Sequence, residues 1–138
     1  ERSIRLDVPL TGLMIDIDHF KNINDSFGHQ CGDMVIREIG GRLQAGLRKY
    51  DYAGRYGGEE FFVVLSNSTR DQALNIGDRF RKEMEDAQPS CNGESFAVTV
   101  SIGVARYNAG ESQESWIERT DRAMYRAKQA GRNRILPD

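Results

Sequence analysis

Two short stretches put carboxylates where a cation would be held. The first is Arg55-Tyr56-Gly57-Gly58-Glu59-Glu60-Phe61. Its glycine pair lies between β-like runs, which predicts a tight primed hairpin turn, because both glycines can take φ > 0. A turn without side chains also lets a ligand approach the main chain. Glu59 and Glu60 beside it suit a hard metal ion next to a phosphate. A solvated hairpin tip with incidental glutamates explains the same residues through turn chemistry alone. The second stretch is Asp16-Ile17-Asp18. In an extended chain, side chains at i and i+2 point to the same side, so the two aspartates could face one metal. A strand running out into a polar loop is the plainer explanation. Lys21, Asn24, Asp25 and Asp33 follow in a region where a solvated loop and a helix N-terminus account for the polarity. Arg126, Lys128, Arg132 and Arg134 crowd the end of a later helix, where cations favour the helix dipole.

The bulk of the chain narrows the classes. Its 138 residues suit one domain with one core. A formal net charge of -2 gives no broad basic surface for nucleic acid, so phosphate chemistry must rest on a few placed cations. No apolar run approaches the roughly 20 residues that span a bilayer. Glu1-Arg2-Ser3-Ile4-Arg5 carries no signal-peptide pattern. Cys31 and Cys91 form neither a disulfide framework nor a zinc spacing, and are expected as free thiols in a reducing compartment. His19 and His29 lack a metal-ligand pattern.

The elements that must position these residues follow from hydrophobic period. Residues 1–9 are charged and patternless, a linker or cut end, and residues 10–138 form the domain. Leu10 to Asp16 reads as a buried strand. Phe20 to His29 reads as a short helix and a turn at Gly28. Cys31 to Lys49 is an amphipathic helix with Val35, Ile36, Ile39, Leu43 and Leu47 on one stripe. A hairpin over Tyr52 to Leu65 comes next. Thr69-x-x-Gln72 is a capping box opening a helix whose stripe is Ala73, Ile76, Phe80, Met84 and Ala87. Phe96 to Ile102 alternates as a strand. Ser112 caps a last helix with Trp116, Ile117, Thr120, Ala123, Met124 and Ala127 inward, stopping at Gly131. Ile135 and Leu136 close the chain as a short strand. This order contains β-α-β-β-α-β, predicting an α+β, ferredoxin-like, mainly antiparallel sheet with a central β-hairpin, helices mostly on one face, and an added helix and edge strand. The first strand and the hairpin then lie side by side, so Asp16 and Glu59 can meet.

Taken together, Asp16-Ile17-Asp18-His19-Phe20-Lys21-x-Ile23-Asn24-Asp25, Phe27-Gly28-His29-x-x-Gly32-Asp33 and Arg55-Tyr56-Gly57-Gly58-Glu59-Glu60-Phe61 strongly resemble the GGDEF-domain diguanylate cyclases. Thr99-Val100-Ser101-Ile102-Gly103-Val104-Ala105 and Ala127-Lys128-x-x-Gly131-Arg132-Asn133 fit the same family, and the resemblance runs from about residue 10 to 136. It implies a nucleotidyl-cyclase or polymerase-palm-like fold, and condensation of two GTP into cyclic di-GMP with release of two pyrophosphates. By similarity, Asp16, the main-chain carbonyl of Ile17 and Glu59 hold Mg2+, with Mn2+ as a substitute, and Glu60 assists. Glu59 is the family's proposed base. Asn24 and Asp33 read the guanine edge. Lys21, Lys128 and Arg132 bind the triphosphate, and Gly57 and Gly58 let the turn approach it. Arg48-x-x-Asp51 resembles the family's product-inhibition site, completed by Arg79 or Arg81 on the next helix.

The resemblance further implies a symmetric homodimer for catalysis and an upstream sensor domain. It implies a cytoplasmic location, alone or as the cytoplasmic part of a membrane-anchored sensor, without nucleic-acid or membrane contact by this domain. The family carries a further N-terminal segment, Asp-x-Leu-Thr-Gly-Leu-x-Asn-Arg-Arg on a helix, whereas Leu10-Thr11-Gly12-Leu13 here lies inside the first strand. Without that segment the isolated chain is expected to be weakly active. The competing expectations are a module that binds GTP or cyclic di-GMP without turnover, and a different nucleotidyl cyclase on the same fold.

Overall fold

The computed structural model describes residues 8–138; of the expected linker, residues 1–7 lie outside the described residues. The chain runs β1 (Leu10–Ile17), α1 (Phe20–Phe27), α2 (His29–Gly46), β2 (Tyr52–Arg55), β3 (Glu60–Ser66), α3 (Arg70–Ala87), β4 (Ser90–Cys91), β5 (Glu94–Ser95), β6 (Val100–Arg106), α4 (Gln113–Gln129) and β7 (Arg134–Pro137). The described residues form a five-stranded sheet of order β2-β3-β1-β6-β7 and a small β4-β5 ribbon. All pairs are antiparallel except β6-β7, which is parallel. The first four strands have the ferredoxin-like arrangement; α4 and β7 are the added pair.

Alternation along β1 sorts its neighbours by face. Leu13 and Ile15 join the main core with Val35, Ile39 and Leu43 of α2 and Phe80 and Met84 of α3. On the opposite face, Gly12 lies under Trp116 of α4, and Gly103 of β6 lies under the main chain of Thr120 and Met124. So α2 and α3 cover one face and α4 the other. The capping box at Thr69 is present in full: its hydroxyl accepts from Gln72 N–H and the Gln72 side chain accepts from Thr69 N–H. Ser112 caps α4 through Ser115 N–H. Beyond β6, Arg119 of α4 clamps Glu111, Asp138 and the Arg106 carbonyl, and its bonds hold the Glu111 carboxyl down at about 2.

Four expectations need correction. Gly57 and Gly58 do not take positive φ. The β2–β3 connection is longer than a two-residue turn, closed by Tyr56 N–H on the Glu60 carbonyl (2.7 Å), so no primed turn is required. Arg55 holds it from inside, donating to the carbonyls of Gly57 (3.3 Å) and Gly58 (2.7 Å). The strand expected over Phe96 to Ile102 begins at Val100, because its partner β1 ends at Ile17, opposite Val100. Phe96 instead stacks on Phe27, ring centroids 4.2 Å apart. The helix expected from Cys31 to Lys49 spans His29–Gly46.

The fourth correction concerns the cysteines. Cys31 and Cys91 are joined as a disulfide between the first turn of α2 and the β4-β5 ribbon. Sixty positions of sequence hid a proximity made by the ribbon folding back over α2. A cross-link closing a loop of that length restricts the unfolded chain by up to about 4 kcal/mol. Dithiothreitol is therefore expected to lower the urea midpoint of the parent chain and leave a Cys31→Ala/Cys91→Ala variant unaffected. Coincident parent curves with and without reductant would exclude the bond in solution.

Candidate active site

The site sits where β1 and β3 end together. Asp16 pairs in register with Glu60 and with Ser101, and Ile17 N–H donates to the Glu59 carbonyl (3.3 Å). Asp16 is buried on the α4 face of the sheet, where Lys128 Nζ lies 3.0 Å from its Oδ1. Burial pushes the Asp16 carboxyl up to about 7, against the pull of Lys128 and with the help of the Glu59 and Glu60 charges. Glu60 is raised as well, first by burial and then by the nearby charge of Asp121. Three carboxylates thus crowd one strand end with Lys128 as the cation paired to Asp16.

Asp18 behaves differently from Asp16, and the expected metal-facing pair is not formed. It lies past the end of β1, fully buried, and its oxygens accept from Ser101 Oγ (2.6 Å), Thr99 Oγ1 (2.8 Å) and Asn133 N–H (3.0 Å). Nothing in the Asp-x-Asp spacing separates the two roles; only the hydroxyls of Thr99 and Ser101, 81 and 83 positions on, do so.

Asn24 stands on α1 against the first turn of α2. A Cβ on Gly32 would sit 1.9 Å from Asn24 Oδ1, so the bare glycine makes room for that amide. Asn24 Oδ1 is buried with no hydrogen-bond partner. A lone buried acceptor costs about 1–3 kcal/mol, which a ligand donor would recover. Asp33 is exposed one residue beyond Gly32, and Lys21 is exposed in the first turn of α1. Arg132 follows α4 with its Nε buried and unpartnered. Carboxylates and Lys128 thus meet at the carboxyl end of β1, the turn carrying Arg132 is tied there through Asn133 N–H on Asp18, and Asn24 stands on the helix that follows β1.

Arg48 and Asp51 lie at the other end. Arg48 donates to Asp51 (3.1 Å), to the Ser66 carbonyl (2.6 Å) and to Ser68 Oγ (2.8 Å), and Ser66 pairs with Leu10. Six strand positions separate Leu10 from Asp16, roughly 20 Å. Burial pushes the Asp51 carboxyl up, but the bonds from Arg48 and from Ser66 N–H outweigh it and hold the group below its usual range. Arg79 lines an apolar cleft between α2 and α3 together with Gly46 and Leu47, the residues just before Arg48. Arg81 points elsewhere, paired to Asp78 (2.8 Å) and to Asn133 Oδ1 (2.9 Å).

A sequence model described as diguanylate cyclase, GGDEF domain, matches residues 2–134. This chain belongs to the GGDEF diguanylate cyclase domain family. The domain is 47% identical over 127 residues to diguanylate cyclase A of Treponema denticola, covering 91% of this chain and 34% of that protein. It thus spans about a third of that relative. The GGDEF domain of DgcB from Caulobacter crescentus, solved in complex with c-di-GMP, superposes with a TM-score of 0.94 at 34% identity, over 99% of this chain and 81% of that one. The active GGEEF domain of a Vibrio cholerae diguanylate cyclase does so at 0.90 and 34% identity, over 99% and 86%. Among the described residues of this GGDEF domain no helix is long and apolar enough to cross a membrane.

Proposed function

We propose that this domain condenses two molecules of GTP into cyclic di-GMP, releasing two pyrophosphates, as one half of a symmetric dimer and with Mg2+. The carrying observation is the crowded carboxylate end of β1 and β3, with Asp16 pushed up to about 7 beside Lys128. Negative charge concentrated there suits a hard cation. Among the described residues no three His, Cys, Asp or Glu side chains converge as a finished metal cage. Mg2+ takes one or two carboxylates and fills its shell with water and substrate phosphates. Asp16, the Ile17 carbonyl and Glu59 would hold it, with Glu60 behind them, and Mn2+ would substitute. Bound there, the ion would polarise the α-phosphoryl group and favour ionisation of the attacking 3′-hydroxyl.

The chain's own residues do the rest. Asn24 Oδ1 and the Asp33 carboxylate accept from guanine N–H groups. Lys21, Lys128 and Arg132 neutralise the triphosphate; Lys128, 3.0 Å from Asp16, would be released to the phosphates if a dication occupied that carboxylate. Gly57 and Gly58 keep the loop free of side chains where the phosphates pass. One GTP's 3′-hydroxyl attacks the other's α-phosphorus in line as pyrophosphate departs. One domain holds one nucleotide, so two must face each other to bring hydroxyl to phosphorus. An upstream sensor domain in a longer protein would set that encounter.

Incubation with GTP and Mg2+, followed by chromatography, should yield cyclic di-GMP at a rate per protomer that rises with protein concentration. A rate flat on dilution overturns the dimer. Tight binding of cyclic di-GMP with no product formed instead favours a receptor. Gly32→Ala is expected to raise KM for GTP about tenfold, because the added methyl displaces the Asn24 amide, with kcat little changed. An unchanged KM would remove Asn24 from the guanine site. Product inhibition is assigned to Arg48, Asp51 and Arg79, about 20 Å from the chemistry. Arg48→Ala should flatten the inhibition of initial rate by added cyclic di-GMP; superimposable inhibition curves for variant and parent would refute the assignment.

A further inference from the structure

Arg132 and Asn133 both occupy the left-handed region, with φ of +64° and +49°, and neither is glycine. Such residues cost roughly 1–2 kcal/mol each and persist only when their surroundings hold them. The contacts that hold this pair are specific. Arg132 N–H donates to the Ala127 carbonyl (3.0 Å). Asn133 N–H donates to Asp18 Oδ2 (3.0 Å), while its side chain donates to Glu85 Oε2 (2.8 Å) and accepts from Arg81 (2.9 Å). Asp18 is in turn fixed by Thr99 and Ser101 at the head of β6. The outcome of this strained turn is an arginine whose Nε is buried without a partner.

We propose that Asp18 is a positioning residue that aims Arg132 at the substrate's phosphates by gripping the main chain of Asn133. This deepens the proposed function, since it rests on the phosphate role of Arg132. Asp18 has little left for a metal, because Oδ1 accepts one hydrogen bond and Oδ2 two. Its carboxylate joins the end of β1, the start of β6 and the turn after α4, the three segments that must keep register for Arg132 to face the Asp16 end of the sheet. A merely structural aspartate would lower stability, and any loss of binding would fall on the whole nucleotide. A positioning aspartate affects the phosphates alone.

The test is calorimetric binding of guanosine 5′-(α,β-methylene)triphosphate, which cannot be cleaved between its α and β phosphorus, with guanosine as control. Arg132→Ala should weaken the triphosphate about tenfold, as expected for loss of a charge-assisted phosphate contact. Asp18→Ala should weaken it by a similar factor and leave guanosine within about twofold. The double variant should bind no worse than Arg132→Ala, since both act through one side chain. Should Asp18→Ala fail to fold, Asp18→Asn carries the same expectations: it keeps the side chain's volume and one accepting oxygen but cannot accept from Asn133 N–H and both hydroxyls at once. Additive losses, or parallel loss of guanosine, overturn the inference. If Arg132→Ala itself leaves triphosphate binding intact, the phosphate role of Arg132 falls; if only the Asp18 variants leave it intact, the positioning role alone falls.

Discussion

Asp16→Asn should abolish cyclic di-GMP synthesis and raise the stability of the domain at neutral pH. Loss of the carboxylate removes the anionic ligand at the centre of the proposed metal site, a loss on the order of a thousandfold in rate or more. The stability gain follows from the pKa. The Asp16 carboxyl lies at about 7 in the fold against 3.8 ordinarily. The folded chain therefore binds more protons, so its stability is fully present below about pH 4 and falls as the pH rises to about 7. An amide carries no such charge. The pull of Lys128 is already contained in that value, so the variant should gain at least about 1 kcal/mol at pH 7, a Tm rise of about 4 °C or more. The gain should vanish near pH 4. Calorimetric melts of both proteins between pH 4 and 8 give the answer; a variant less stable than its parent at pH 7 would mean that Lys128 pairing dominates burial. Such a carboxylate is maintained against stability, as expected of a site selected for activity.

Gly103→Ala should be the most damaging single methyl in the domain. The added Cβ would lie 2.2 Å from Met124 N, 2.3 Å from the Thr120 carbonyl oxygen and 2.8 Å from the Ala123 carbonyl carbon. All three are main chain of α4, so no side chain can turn aside. The helix must lift from the sheet, at a cost of about 4 kcal/mol or more. Lys128 travels with α4, so any folded remainder loses its cation at Asp16. Urea unfolding and soluble yield measure this; a variant within about 1 kcal/mol of the parent would contradict the close approach.

Where period and local chemistry decide, the residues were readable in advance. The stripe of α2, the capping box at Thr69 and the hairpin carrying Glu59 all report local physics, and the β-α-β-β-α-β order brought Asp16 beside that hairpin. What stayed hidden depends on partners distant in sequence. The strand over Phe96 to Ile102 alternates well, but a ladder stops where its partner stops, at Ile17. Cys31 and Cys91 carry no spacing signal, because the ribbon that joins them is placed by tertiary packing. Asp18 looked like a twin of Asp16 until Thr99, Ser101 and Asn133 claimed its oxygens. Gly57 and Gly58 invited a primed turn, but the loop is longer and Arg55 supplies its closure. Family resemblance carried the choice of GTP, which periodicity alone could not supply.

The strand order sets a timetable for synthesis. Among the described strands β1 leaves the ribosome before the others, yet it is the middle strand, and its second neighbour begins only at Val100. At about 5–20 residues per second, some 4–17 seconds pass before that neighbour has been made. Throughout, Leu13-Met14-Ile15 has at best one edge covered, by β3. A ribosome pausing before Val100 would lengthen the exposure, and one pausing after Pro137 would not. The residue at the centre of the proposed chemistry, Asp16, thus belongs to the earliest made of the described strands and to those enclosed last.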